Sequence, residues 1–405
     1  MEVKFPLILD GATGTQLQKR GYTGEICAEA WTLEHPGTIQ QIQAEYIAAG
    51  SRVLYAPTFG ANRVKLEENG IFNQVEDYNL RLVSICRQGA GPDAYVAGDM
   101  TSVGKFLLPM GDISFEELTE IYTEQAAALE KAGVDLFAIE TIMTLPEARA
   151  ALLAVKSVSQ KPVIVTFTCD ETGKTLTGTD VTAALAVMQG MGADAFGLNC
   201  SVGPEDMLVQ IRRLSEYAQV PLIAKPNAGM PEIENGKTVY RCTPEEFAAL
   251  VPQLADAGVA LFGGCCGTEA AHVKAVADAA AAATIRKPAP KSPDQLLLAT
   301  EKEAYLLPAD VQCSVVLAAD ETLEDALDEV CGGDDVLIGV RIDSEEALEN
   351  FGDAQYAVAK PLCIFCEDAA LLEAALRMYQ GRAMYEGSLP EEVLLPLCRK
   401  YGLVI

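Results

Sequence analysis

Two adjacent cysteines, Cys265 and Cys266, stand among three glycines in Leu261-Phe-Gly-Gly-Cys-Cys-Gly267, where an apolar run ends. A third thiol, Cys200, closes a similar run in Ala195-Phe-Gly-Leu-Asn-Cys-Ser201. Three thiolates with an open fourth position make the catalytic kind of zinc site, whereas a structural site is closed by four protein ligands. Free cysteine otherwise packs as a small buried hydrophobe, so three unrelated core cysteines are the plain alternative. The bareness of Gly263, Gly264 and Gly267 favours the first reading, because it suits close approach of a ligand or metal. Only two histidines occur, His35 and His272, so a metal here must lean on sulfur or carboxylate. His272 falls in the helix after the cysteine pair and reads as a surface residue rather than a ligand.

The elements that must position these thiols follow one grammar from residue 1 to about 285. A short apolar run, a glycine-rich or polar turn and an amphipathic helix recur. Eight runs can be counted: Leu7-Asp10, Arg52-Thr58, Tyr95-Asp99, Leu136-Glu140, Pro162-Thr168, Ala195-Cys200, Pro221-Pro226 and Val259-Gly263. Helices are expected over Thr38-Ala49, Phe115-Ala132, Leu145-Ser157, Val181-Met191, Pro204-Ala218, Thr243-Ala257 and Thr268-Ala283. Eight such units predict an α/β fold, a closed parallel (β/α)8 TIM barrel. An open doubly wound sheet is the runner-up, but the first strand lacks the Gly-x-Gly-x-x-Gly turn that such a sheet would carry.

Function in a barrel gathers at the carboxyl ends of its strands. Those ends are polar here: Asp10 followed by Gly11-Ala12-Thr13, Thr58, Asp99, Glu140, Thr168 with Cys169, Asn199 with Cys200, Lys225 with Asn227, and the cysteine pair. Cys200 and the pair thus become neighbours across the mouth, and Cys169 is the one further thiol that could close the site. Cys27, Cys86 and Cys242 fall on helices or loops and read as packing residues. Asp10 and Glu140 suit a substrate ammonium. For Asp10 the alternative is a carboxylate capping the next helix.

At 405 residues the chain predicts a large domain and a smaller one. The formal net charge of -28 argues against nucleic acid or an anionic membrane surface as partner. No apolar span approaches the roughly 18 residues of a membrane helix. The amino terminus runs directly into a strand without a signal core, and twelve cysteines are too sparse for a disulfide scaffold, so reduced thiols in the cytoplasm are expected.

The expected division is a barrel over residues 1–285, a proline-rich linker over 286–293 and an acidic α/β domain over 294–405. Residues 291–405 carry 23 acidic and 8 basic side chains, a net of -15. Strands are expected at Ser314-Ala318, Val336-Ile342, Leu362-Phe365 and Ala383-Tyr385, with helices at Leu323-Val330, Ser344-Asn350, Ala369-Tyr379 and Glu391-Tyr401. Four units are half a barrel or a small open domain, and their apolar surface needs a cover. A homodimer is the simplest one, since a two-fold pairing needs only one self-complementary patch. Cys363-Ile-Phe-Cys366 has redox spacing but lies along a strand, so two buried strand cysteines are expected.

Six stretches carry a resemblance: Leu9-Asp-Gly-Ala-Thr-Gly-Thr15, Thr58-Phe-Gly-Ala-Asn62, Gly197-Leu-Asn-Cys-Ser201, Lys225-Pro-Asn-Ala-Gly229, Asn235-Gly-Lys-Thr-Val-Tyr240 and Phe262-Gly-Gly-Cys-Cys-Gly267. On them the segment resembles the homocysteine S-methyltransferase family, and within it the homocysteine-binding domains of cobalamin-dependent methionine synthases. The resemblance implies that Cys200, Cys265 and Cys266 bind Zn2+, that Asp10 and Glu140 hold the amino group of homocysteine, and that Gly11, Ala12 and Thr13 take its carboxylate through backbone amides. Asn199 is placed with this substrate-binding set. Ala56-Pro57 departs from the Thr-Asn usual in the family. Residues 361–402 are similar to part of a pterin-binding domain, with Phe365 or Cys366 where its pterin-holding Asp would stand, which implies a packing remnant without folate binding.

A free alkyl thiol is mostly protonated at neutral pH, with a pKa near 8.5. Zinc removes that proton, and three cysteinate ligands leave the bound sulfur nucleophilic. The implied reaction is methyl transfer to homocysteine as a zinc thiolate, giving methionine, with methylcobalamin supplied in trans on a corrinoid-binding protein. S-methylmethionine, S-adenosylmethionine or a betaine-like donor is the alternative. A non-catalytic zinc-stabilised scaffold that recruits a partner is the rival from another class.

Overall fold

The computed structural model describes residues 4–108, 110–234, 236–288 and 292–405. Asn235, which heads the Asn235–Tyr240 stretch, and residues 289–291 of the proline-rich connector lie outside them. The chain divides into two compact units: Met1–Thr175 with Asp194–Glu216 and Val220–Pro288, and Leu176–Ala193 with Tyr217–Gln219 and Ala289–Ile405.

In the first unit the apolar runs become β1 (Leu7–Ile8), β2 (Val53–Tyr55), β3 (Tyr95–Met100), β4 (Leu136–Ile142), β5 (Val163–Phe167), β6 (Ala195–Asn199) and β7 (Leu222–Lys225). A small hairpin, β8 (Glu232–Glu234) with β9 (Lys237–Val239), precedes β10 (Val259–Phe262). The eight long-range strands form one parallel sheet in the order β1-β10-β7-β6-β5-β4-β3-β2. Its two ends meet where Arg52 N–H donates to Ile8 O (2.8 Å) and Ser51 Oγ donates to Leu9 O (2.9 Å). One buried cluster draws on every one of these strands, among them Leu7, Val53, Ala97, Ala138, Ile164, Ala195, Ile223 and Leu261, which is how a barrel fills its interior. The fold is the expected (β/α)8 barrel, nearly closed.

Local chemistry sets the helices around it. Phe115–Ala132 starts where Ser114 accepts a bond from Glu117 N–H, carries Glu116 and Glu117 in its first turn, and ends at Gly133 in the left-handed conformation with φ +77°. The helix expected over Thr243-Ala257 is two, Pro244–Ala249 and Val251–Asp256. Pro252 explains the break, since it lacks an N–H and its ring crowds the carbonyl four residues earlier. His272 corrects the surface reading. It is buried, its Nε2 2.9 Å from Cys242 O and its Nδ1 accepting from Glu269 N–H at 3.4 Å, with its ring edge-on to Phe247.

The first strands of the second unit form an antiparallel hairpin that was not anticipated, β11 (Gln295–Ala299) with β12 (Ala304–Pro308). A four-stranded parallel sheet follows in sequential order: β13 (Val315–Ala318), β14 (Ile338–Arg341), β15 (Leu362–Phe365) and β16 (Met384–Glu386). Leu298 and Leu307 of the hairpin pack with Leu337, Cys363 and Val404, so the hairpin covers apolar surface that four strands could not enclose. Cys363 and Cys366 are both buried, as expected, but only Cys363 lies in the strand, Cys366 standing one residue past the end of β15. Among the described residues no helix is long and apolar enough to cross a membrane.

Candidate active site

Cys200 follows β6, and Cys265 and Cys266 follow β10. The loops that carry them are stitched together by backbone bonds: Cys200 N–H to Lys225 O (3.1 Å), Cys265 N–H to Pro226 O (2.8 Å) and Gly264 N–H to Asp10 O (3.0 Å). Cys200 and Ser201 both hold left-handed φ angles, +61° and +59°, a conformation that costs a residue with a Cβ about 1–2 kcal/mol and is kept where surroundings demand it. The three Sγ atoms lie within 4.8 Å of one another, Cys200 and Cys266 being 3.9 Å apart. Cys169 is buried on the same rim but is not part of this cluster.

Three sulfurs this close do not ionise together without a cation. Hydrogen bonds from Cys200, Cys265 and Tyr240 push the Cys266 thiol down to about 3, while the bond to Cys200 and burial hold Cys265 well above the ordinary thiol range. A divalent ion would let all three ionise, and the donor set suits a thiophilic metal such as zinc.

The thiols line a cavity of about 270 Å³ together with Asp10, Asp99, Glu140, Lys225 and Tyr55. Asp10 does not cap a helix: Thr13 stands at the start of helix Gly14–Lys19, and Asp10 Oδ2 accepts Tyr55 N–H at 2.8 Å. Lys225 is the residue whose importance sequence reasoning missed. Its Nζ sits 3.3 Å from both Asp10 Oδ1 and Glu140 Oε2 and 3.4 Å from the centroid of the Tyr55 ring. Burial opposes its charge, but Glu140, Tyr55 and Asp10 carry its pKa well above that of an ordinary lysine. Burial raises the Asp10 and Glu140 carboxyls, with Lys225 pulling against it. Asp99 is raised well above the usual range, first by burial and then by Glu140.

Asn199 acts as a bracket. Its Oδ1 accepts Thr141 N–H (2.9 Å) and its Nδ2 donates to Thr141 Oγ1 (2.7 Å), with Glu140 Oε2 at 3.5 Å and Cys265 Sγ at 3.9 Å. Of the backbone amides in Gly11–Thr13, that of Ala12 is committed to Thr268 Oγ1 at 3.0 Å. Thr268 in turn donates to Cys265 O at 2.7 Å, tying the first strand's loop to the cysteine pair. The bare glycines also find a different reason. A Cβ on Gly263 would stand 2.9 Å from Asp10 O, one on Gly264 would meet Thr268, and one on Gly267, at φ +81°, would stand 2.3 Å from Tyr240 Cγ. They admit the protein's own chain, which brings the thiols to the cavity wall.

The sequence profile of the homocysteine S-methyltransferase family matches residues 7–280. The chain belongs to that family. Homocysteine S-methyltransferase relatives of known sequence include the methionine synthase of Mycobacterium tuberculosis, 34% identical over 302 residues that make 70% of this chain and 25% of that protein. The methionine synthase of Mycobacterium leprae is 34% identical over 295 residues, 68% of this chain and 24% of its own length. The chain therefore spans about a quarter of these relatives. Among solved structures, the homocysteine methyltransferase MmuM from Escherichia coli in its metallated form matches with a TM-score of 0.57 and 24% identity, covering 67% of this chain and 95% of that one. Its oxidised form gives the same TM-score and identity over 94% of its chain. At that identity the likeness speaks for the fold.

Proposed function

We propose that this protein methylates homocysteine to methionine, with Cys200, Cys265 and Cys266 as the ligands of one zinc ion. The observation that carries this reading is the convergence of three thiols and the Asp10–Lys225–Glu140 cluster on one cavity at the strand ends. When bound, zinc would supply the positive charge that keeps a substrate thiol deprotonated at neutral pH. Asp10 and Glu140 offer the negative pole for the substrate ammonium, and Lys225 holds their two carboxylates at a common distance. Asn199 fixes the end of β4 against that of β6, so Glu140 and Cys265 keep their spacing. Backbone amides of Gly11 and Thr13 face the substrate carboxylate. The substrate sulfur forms a bond to the methyl carbon as the bond to the donor breaks, its electron pair leaving with the donor.

The proposed donor is a methylcorrinoid on a separate protein, a reading that rests on the Asn235-Gly-Lys-Thr-Val-Tyr240 stretch and its resemblance to cobalamin-dependent methionine synthases. Residues 1–285 are taken as the substrate-binding barrel, 286–293 as a linker and 294–405 as a packing unit without folate binding; a homodimer and a cytoplasmic location complete the reading. Zinc analysis of the parent and of Cys265→Ser tests the metal: loss of zinc in the variant is expected, and equal zinc in both overturns the assignment. Homocysteine offered with each donor class in turn tests the rest. Methionine formed from a sulfonium donor but not from methylcobalamin would exclude the corrinoid.

A further inference from the structure

The second unit carries thiols that methyl transfer does not use. Cys313 lies between β12 and β13, Cys363 lies in β15, and Glu386 ends β16. Their two Sγ atoms and a carboxylate oxygen lie within 4.8 Å of one another. Strand register produces this. Cys363 pairs with Met384 and Phe365 with Glu386, and because alternate residues of a strand share a face, all four project to one side of the sheet. The hairpin packs on that side, with Cys313 beside Cys363 and Met384 in one apolar cluster, and so brings the second sulfur in.

Two cysteines in an apolar cluster are ordinary packing. A carboxylate oxygen of the exposed Glu386 reaches the same pair, so that two sulfurs and one oxygen could serve together as ligands. Among the described residues Glu386 makes no ion pair with a lysine or arginine that would hold it there for another reason. A divalent cation would let the two thiols ionise beside the carboxylate. Two sulfurs and a carboxylate oxygen are donors that zinc accepts, and thiolates select it over magnesium or calcium.

We propose that Cys313, Cys363 and Glu386 form a second metal site for a thiophilic divalent ion of the zinc class, with a fourth position open to solvent beside the exposed Glu386. Each thiol gives up its proton to solvent when the ion binds. The ion clips the chain leaving the hairpin to β15 and to the edge strand β16, and binding to the folded state alone stabilises it. The barrel thiols play no part in this assignment, so it stands independently of the methyl-transfer reading.

Cobalt(II) titration of the full reduced chain tests it, read by the sulfur-to-metal charge-transfer absorption. The parent saturates at two equivalents, Cys313→Ala at one, and Cys200→Ser/Cys265→Ser/Cys266→Ser at one with the weaker band of two thiolates. Glu386→Gln, a surface change that leaves packing intact, keeps both bands but raises the half-saturating cobalt concentration of the second. A parent that saturates at one equivalent, lost entirely in the triple serine variant, overturns the proposal. So does a band undiminished in Cys313→Ala, or a Cys313–Cys363 pair that, kept reduced, takes up no metal.

Discussion

Replacing Lys225 with methionine should unbalance the barrel mouth more than any other single change there. Each of its two ion pairs, at 3.3 Å, attracts by about 5 kcal/mol at an effective dielectric constant of roughly 20. Most of that is offset by desolvation of a side chain only 3% exposed. Methionine fills similar volume, so the dominant effect is two buried carboxylates left without a cation, a loss of about 3–5 kcal/mol. For a unit of this size that lowers the melting temperature by roughly 5–9 °C. The sign of the pH dependence follows from the shifts. Asp10 and Glu140 already lie above their ordinary values, and without Lys225 they rise further. A carboxyl with a raised folded pKa stabilises fully below its unfolded value, about 4, and that stability is lost as pH rises through the folded pKa. Lys225→Met should therefore be closest to the parent near pH 4–5 and fall away toward pH 8. Thermal melts of parent, Lys225→Met, Glu140→Gln and the double variant across that range measure both effect and coupling. A variant as stable as the parent at pH 8, or a gap that widens on acidification, would refute the reasoning.

Two further changes probe the site's frame and the second unit. Gly267→Ala places a Cβ 2.3 Å from Tyr240 Cγ at φ +81°; a loss of roughly 2–4 kcal/mol is expected by denaturant titration, with reduced zinc retention because Cys266 is displaced. Leu298→Ala removes the fully buried centre of the hairpin's contact with the sheet. About 2–5 kcal/mol of that unit's stability should go, seen as earlier proteolysis within residues 292–405 while zinc bound by the barrel thiols persists.

Much of the fold was legible because it rests on local pattern. The eight apolar runs, the helices between them and the thiols at the ends of β6 and β10 each occupy a short window, and a parallel barrel is the one closed solution for eight such units. Placing Cys200 beside Cys265 and Cys266 needed only that topology. What tertiary structure decided concerns side chains that meet from far apart in the chain. Lys225 reached the list of polar strand ends, yet its role depends on Asp10 and Glu140 flanking it at equal distance, 215 and 85 residues away. The burial of His272 depends on the loop carrying Cys242 lying over the first turn of its helix. The glycines beside the cysteine pair are bare because Asp10 O, Thr268 and Tyr240 press against them, a fact of packing that no window of sequence contains. Cys313, Cys363 and Glu386 come together through sheet register and a docked hairpin. Backbone periodicity is written residue by residue, whereas burial, charge pairing and metal geometry are set by neighbours that only the closed fold supplies.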